Sequence, residues 1–177
     1  MKRIGFRLTI FVASALLFAC VIESQSPAPT PAAPVPPAIF AAKKIFLANA
    51  GADSGLFPHP FSGNPDRAYN QFYAALKASD RWQLVSSPSD ADLVLELRLT
   101  APYGPKDPDK QKGTSDPLPM FRLVLYEAKS HYLLWALTEA IDPANLQKTH
   151  DRNFDDALNA LVIDFKALTS NAPPPAN

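Results

Sequence analysis

Cysteine is nearly absent from the chain. Cys20 is the single one among 177 residues, so no disulfide can form within the chain. It also lies ahead of the segment that reads as folded, which leaves that segment no thiol site and only its core to hold it. Charge of one sign is lacking too, with 17 Lys and Arg against 17 Asp and Glu. Removing a leader through Ala19 takes Lys2, Arg3 and Arg7 with it and leaves fourteen basic against seventeen acidic side chains. That balance argues against nucleic-acid binding, which needs a basic face, and does not support a polybasic contact with a membrane surface.

Motifs that carry chemistry are missing as well. His59, His131 and His150 fall in three separate connections, none has a second ligand at zinc spacing, and HExxH does not occur. They read as surface histidines. Asp107, Asp109 and Asp116 fail the calcium-loop pattern, because the twelfth position counted from Asp107 is Leu118, and Lys106, Lys110 and Lys112 offset the acids. Ser54 and Ser62 lie outside any GxSxG, and Gly51 to Gly55 lacks both GxGxxG and the Walker lysine. Asp66, Asp155 and Asp156 read as acids at helix starts. No catalytic residue, metal ligand or cofactor is therefore assigned.

Proline is abundant, with 19 residues, and it clusters. Ahead of the clusters, Lys2, Arg3 and Arg7 precede an apolar stretch from Leu8 to Ala19, the plan of an export signal. That stretch falls short of the roughly 20 residues of a membrane span. Ser24 to Ala38 is a Pro/Ala run that favours extended polyproline II and serves as a spacer, reaching on the order of 40 Å.

The strongest fold signal is Leu93 to Thr100. Leu93, Leu95, Leu97 and Leu99 alternate with Val94, Glu96, Arg98 and Thr100, the period of a strand buried on one face. It is placed most easily inside an antiparallel sheet, with helices over the leucines. Lys43 to Ala50 reads as a first strand, and Gly51 to Gly63 as a loop. Asn64 is expected to cap a helix running to Ala78, with Tyr69, Phe72, Tyr73 and Leu76 on its apolar face. Trp82 to Val85 is a short second strand. Ala101 to Pro119 is a long connection between the leucine strand and a fourth strand, Met120 to Glu127. After a turn at Ala128 to His131, Tyr132 to Ala140 makes a fifth. Asn153 is expected to cap a last helix with Phe154, Leu158, Leu161, Phe165 and Leu168 as its core stripe.

The order predicts an α+β two-layer sandwich. Its mixed, mostly antiparallel sheet runs β-α-β-β-β-β-α, with both helices on one face. The domain plan is a signal peptide over 1–19, a lipidated Cys20 and Pro/Ala tether over 20–39, one α+β body over 40–170 and a loose tail over 171–177.

Leu17-Phe18-Ala19-Cys20 resembles the bacterial lipobox, Phe18 being bulkier than is usual there; ordinary cleavage, for example after Ser24, is the alternative. With the tether and the strand order, the chain resembles small bacterial envelope lipoproteins: the curli-secretion lipoprotein family, penicillin-binding-protein activator lipoproteins and the amino-terminal domain of TolB. Ser89-Asp90-Ala91-Asp92-Leu93-Val94-Leu95 and Leu133-Leu134-Trp135-Ala136 are the local echoes. The resemblance implies a non-enzymatic domain, lipid-anchored at Cys20, that binds or helps assemble envelope proteins. Val21, in place of the Asp that retains enterobacterial lipoproteins at the inner membrane, favours the periplasmic side of the outer membrane. Soluble periplasmic or secreted forms are the other locations.

The candidate binding loop holds Leu56, Phe57, His59 and Phe61, and Tyr103 on the long connection has similar status. Apolar residues in a Gly/Pro loop either fold back as a lid on the core or form a contact patch. Sheet edges are a second route to partners or to oligomers. Two rival functions stand beside this one. The first is a hydrolase using His59 with Asp53 or Asp66. The second is a soluble ligand carrier, which needs a deep apolar pocket.

Overall fold

The computed structural model describes residues 33–103 and 117–170. The leader, Cys20, most of the tether, the calcium-like acids Asp107, Asp109 and Asp116, and the tail lie outside them. The described elements are α1 (Pro37–Ala41), β1 (Lys44–Ala52), α2 (Arg67–Lys77), β2 (Gln83–Leu84), a 3-10 turn (Pro88–Asp90), β3 (Leu93–Thr100), β4 (Met120–Glu127), β5 (Leu133–Ala140) and α3 (Gln147–Ser170). The sheet order is β2-β1-β3-β4-β5. It is an open, mixed α+β sandwich with the leucine strand β3 at its centre.

β3 is parallel to β1 and antiparallel to β4. Its four leucines are no more than 2% exposed. Leu95, Leu97 and Leu99 meet Phe72 and Leu76 of α2, and Phe154, Leu158, Leu161 and Phe165 of α3, in one core. Both helices therefore cover the leucine face, because each has one apolar stripe and that face is the large apolar surface on offer. Asp92 sets the parallel register: its Oδ2 accepts the backbone N–H groups of Lys43 and Lys44, each at 2.8 Å. Those two bonds hold its carboxyl below the usual range. The Ser-Asp-Ala-Asp stretch thus acts as a clip between the starts of β1 and β3.

Helix boundaries differ from the sequence reading in three places. The end of the Pro/Ala run forms α1, with Pro at its first position, and buries Ile39 fully in the core. α2 begins at Arg67, two residues later than expected. Asn64 instead closes the preceding turn, its Oδ1 accepting Asp66 N–H at 3.0 Å and its carbonyl accepting Arg67 N–H at 3.0 Å. α3 begins at Gln147, so Asn153 is an interior residue whose Nδ2 donates to the Asp142 carbonyl at 3.0 Å. Asp155, expected in a first turn, reaches the guanidinium of Arg67 at 2.7 Å. On α2 the buried face is Ala68, Phe72 and Leu76, while Tyr73 is 37% exposed.

The far end of α3 is tied down by Arg81. Its Nη1 donates to Ser170 Oγ at 2.7 Å, its Nη2 donates to the Thr169 carbonyl, and its plane lies 5.0 Å from the Trp82 ring. A cation on the last carbonyls of a helix opposes the negative end of its dipole.

Candidate partner-binding cleft

Parallel pairing brings the C-terminal ends of β1 and β3 to the same rim of the sheet. β1 ends in a bulge between Asn49 and Ala52, where Gly51 adopts φ +75°, a conformation that favours glycine. The bulge turns Asp53 across the end of β3. Asp53 N–H donates to the Leu99 carbonyl at 2.9 Å. Its Oδ2 accepts Ala101 N–H at 2.9 Å and the Thr100 hydroxyl at 2.7 Å, and its Oδ1 accepts Arg98 Nη2 at 2.8 Å. The Ala101 N–H, then the Thr100 hydroxyl and the Arg98 guanidinium, hold the Asp53 carboxyl at about 2.

A cleft of about 720 Å³ opens beside this knot. Its floor is Leu56, Phe61 and Ile141, its polar wall is Asp53, Ser54, Arg98 and Asp142, and Tyr103, His150 and four prolines stand around it. Such a volume lies in the ordinary range for binding sites.

The candidate loop is divided by the structure. Leu56 and Phe61 are 5% and 0% exposed, and the Phe61 N–H donates to the Leu56 carbonyl at 3.2 Å. Phe57 is half-buried, its ring 6.2 Å from Phe154, while Phe61 lies 5.2 Å from the same ring. These three side chains are a lid on the core, and two of them line the cleft from below. His59 is exposed and lies outside the cleft lining. Tyr103, 80% exposed, stands at the mouth. The loop is fastened from α3, with Ser62 N–H on Asp151 at 2.8 Å and Gln147 Nε2 on the Pro58 carbonyl at 3.1 Å.

Four lining residues escaped the sequence reading: Arg98, Ile141, Asp142 and His150. His150 is not a plain surface histidine, since it is half-buried and packs edge-on against Phe61 at 6.0 Å. Nothing in the local sequence around these four marks them; chain crossings from distant segments bring them together.

The carboxylates proposed as partners for His59 are otherwise engaged. Asp53 accepts three hydrogen bonds, and Asp66 Oδ1 accepts Asn49 Nδ2 at 2.7 Å. A carboxylate held at about 2 is a poor proton acceptor near neutral pH. Asp53 acts as a structural key.

Asp53 also makes an acid-linked contribution to stability. A depressed carboxyl stabilises the fold fully above its unfolded value of about 3.9, and that stability is lost as pH falls through the folded value near 2. Asp53→Asn is expected to cost roughly 1 kcal/mol at neutral pH, the full shift being discounted because the pair reaches solvent. It should also flatten the urea midpoint between roughly pH 4 and pH 2. An unchanged acid limb in the variant would show that the three bonds to Asp53 do not bear on stability.

No family model matches the chain, and no curated protein matches it. Solved structures share parts of the fold. A DUF4136 family protein from Bacteroides thetaiotaomicron aligns with a TM-score of 0.48 at 14% identity, over 76% of this chain and 92% of that one. A PelC dodecamer from Paraburkholderia phytofirmans aligns with 0.43 at 14% identity, over 75% and 92%. The lipoprotein GNA1162 from Neisseria meningitidis aligns with 0.38 at 11% identity, over 72% and 99%. These likenesses are partial and at low identity, and they assign no role to this chain.

Proposed function

We propose that this chain is an exported domain, anchored by a lipid on Cys20 at the periplasmic side of the outer membrane, that binds envelope proteins and catalyses no reaction of its own. Partner contact is made at the cleft between the β1 and β3 ends, and the sheet edges carry association into oligomers. One observation carries the reading: Asp53 and Arg98 of the cleft's polar wall are spent on each other, and Asp53 also on Thr100 and Ala101. Beside them the cleft presents tyrosine, proline, Asp142 and a half-buried histidine over an apolar floor. Aromatic side chains are enriched where proteins meet. The floor is filled by core side chains, which argues against a deep ligand-carrying cavity.

A photocrosslinking amino acid at position 103, in place of Tyr103, is expected to give a discrete adduct in living cells. The same group at exposed Lys77 on α2 should give none. Adducts of equal yield at both positions, or at neither, would sink the cleft as the contact surface. Anchoring is checked separately by labelling with a fatty-acid analogue, where Cys20→Ser should abolish the signal; equal labelling of both chains refutes the anchor.

A further inference from the structure

The sheet has two edges, and they are not alike. At one, β2 contributes two residues, and β1 carries its bulge where it runs on past them. Short edge strands and bulges are the devices by which sheets resist pairing with another chain. β5, at the other edge, is eight residues long and contains no proline, lysine or arginine. Its one irregularity lies at Leu134, beside the hairpin, and from Trp135 to Ala140 its pairing with β4 is regular. Among the described residues no strand lies on its outer side.

The direction of its backbone groups follows from one hydrogen bond. Ile141 N–H donates inward to the Pro119 carbonyl at 2.8 Å. Antiparallel alternation then turns the N–H and C=O groups of Ala140, Thr138 and Ala136 outward, away from β4. Beside this row lies a crease between β5 and α3, lined by Glu139, Ala140, Asp156 and Ala160. Ile163, three residues beyond Ala160 along α3, is 64% exposed, and Leu133 and Tyr132 at the hairpin are 52% and 74% exposed.

We infer that a second copy of this chain occupies the β5 edge. The two β5 strands pair antiparallel about a two-fold axis, giving a ten-stranded sheet with both α3 helices on one face. This rests on the edge association stated under Proposed function and names its partner and geometry. Charge sets no like pair directly opposite across the seam. Glu139 is the only charged residue of β5, and antiparallel pairing centred on Ala136 or Leu137 sets it opposite an apolar residue of the second copy, never opposite itself. Size asks for more than the two strands. A stable interface takes about 800 Å² from each partner, more than one strand edge supplies. The hairpin tip and the outward row of Ala160, Ile163 and Ala167 on α3 extend the patch toward that area. A two-fold pairing of identical edges also closes on itself and leaves no β5 edge exposed.

The test uses the full chain in bacterial membranes, with wild type (Cys20 alone) as the baseline. Single cysteines are placed at Ala136, Thr138 and, on the opposite edge, Ser86, and are treated with a short bis-maleimide. Ala136→Cys and Thr138→Cys are each expected to give one band of twice the chain mass, at least tenfold above baseline, with no higher ladder. Ser86→Cys should stay at baseline. Thr138→Pro removes an outward N–H and no bond to β4; it should abolish the Ala136→Cys band while the chain keeps its urea midpoint. Dimer that appears only when Ser86→Cys and Ala136→Cys chains are mixed would overturn the two-fold arrangement but leave edge association standing. Baseline signal from every variant, with the chain sedimenting as a monomer, would overturn both.

Discussion

Phe154→Ala is expected to lower the unfolding free energy by about 3–5 kcal/mol, the usual cost of emptying a buried phenylalanine site. Against a typical total of about 5–15 kcal/mol, that brings the domain close to its unfolding threshold. Phe154 is fully buried, and its ring sits 4.9 Å from Phe121 of β4, 5.2 Å from Phe61 and 6.2 Å from Phe57. Those neighbours belong to two segments distant in sequence from α3, so one ring joins the loop, the sheet and its own helix. The site cannot collapse without moving all three, which places the cost toward the upper end of the range. Urea unfolding is the measurement. Asn159→Ala, on an exposed turn of the same helix, should stay within about 0.5 kcal/mol. The cleft should suffer with the core, because Phe61 is both its floor and a neighbour of Phe154. A stable Phe154→Ala chain that still gave the Tyr103-position adduct would contradict this packing.

Arg67→Met carries the next largest expected effect, about 2–3 kcal/mol. Arg67 is 16% exposed, with Nη1 at 2.7 Å from Asp151 and Nη2 at 2.7 Å from Asp155. Nη1 also donates to the Ser62 carbonyl at 3.1 Å, and the guanidinium lies 4.2 Å over the Phe154 ring. Methionine keeps the apolar stem but leaves two acids side by side on α3 without a cation. Breaking a buried pair costs about 3–5 kcal/mol; the figure is smaller here because Asp155 is nearly half exposed and water screens it. Arg67→Lys should recover only part of the loss, since an ammonium cannot fork between two carboxylates.

The sign of the pH dependence follows from Asp151. Burial opposes its ionisation, but the Ser62 N–H and the Arg67 guanidinium outweigh that and hold its carboxyl below the usual range. Its stabilisation is thus present above the unfolded carboxylate value and fades as pH falls through the lower folded one. In Arg67→Met that acid limb should shrink. In a double-mutant cycle, Arg67→Met with Asp151→Asn should cost less than the sum of the two singles. Strict additivity would mean that the ion pair contributes nothing.

How far the sequence reads depends on whether a signal is local. β3 and β4 were legible to the residue, because alternation of apolar and polar side chains is a property of consecutive positions and one face of each is buried. The α3 stripe of Phe154, Leu158, Leu161 and Phe165 was legible for the same reason, and both helices had to cover the leucine face. Helix starts were less legible. Asn64 and Asn153 each carry a capping side chain, yet one closes a turn ahead of α2 and the other lies inside α3, its amide spent on Asp142. A cap is selected by which backbone N–H groups are left over, and tertiary contacts decide that.

By itself, then, the amino-acid pattern determined the leucine-centred sheet, the two covering helices and the absence of familiar catalytic motifs. The tertiary structure decided that the tether's end folds into the body as α1, and that Leu56, Phe57 and Phe61 cover the core while Tyr103 faces out. It also decided that Asp53 locks β1 to the end of β3. Each of those rests on contacts between residues far apart in the chain, through core closure and hydrogen-bond pairing. Periodicity records which face a residue presents; it carries no record of which distant segment arrives to meet it.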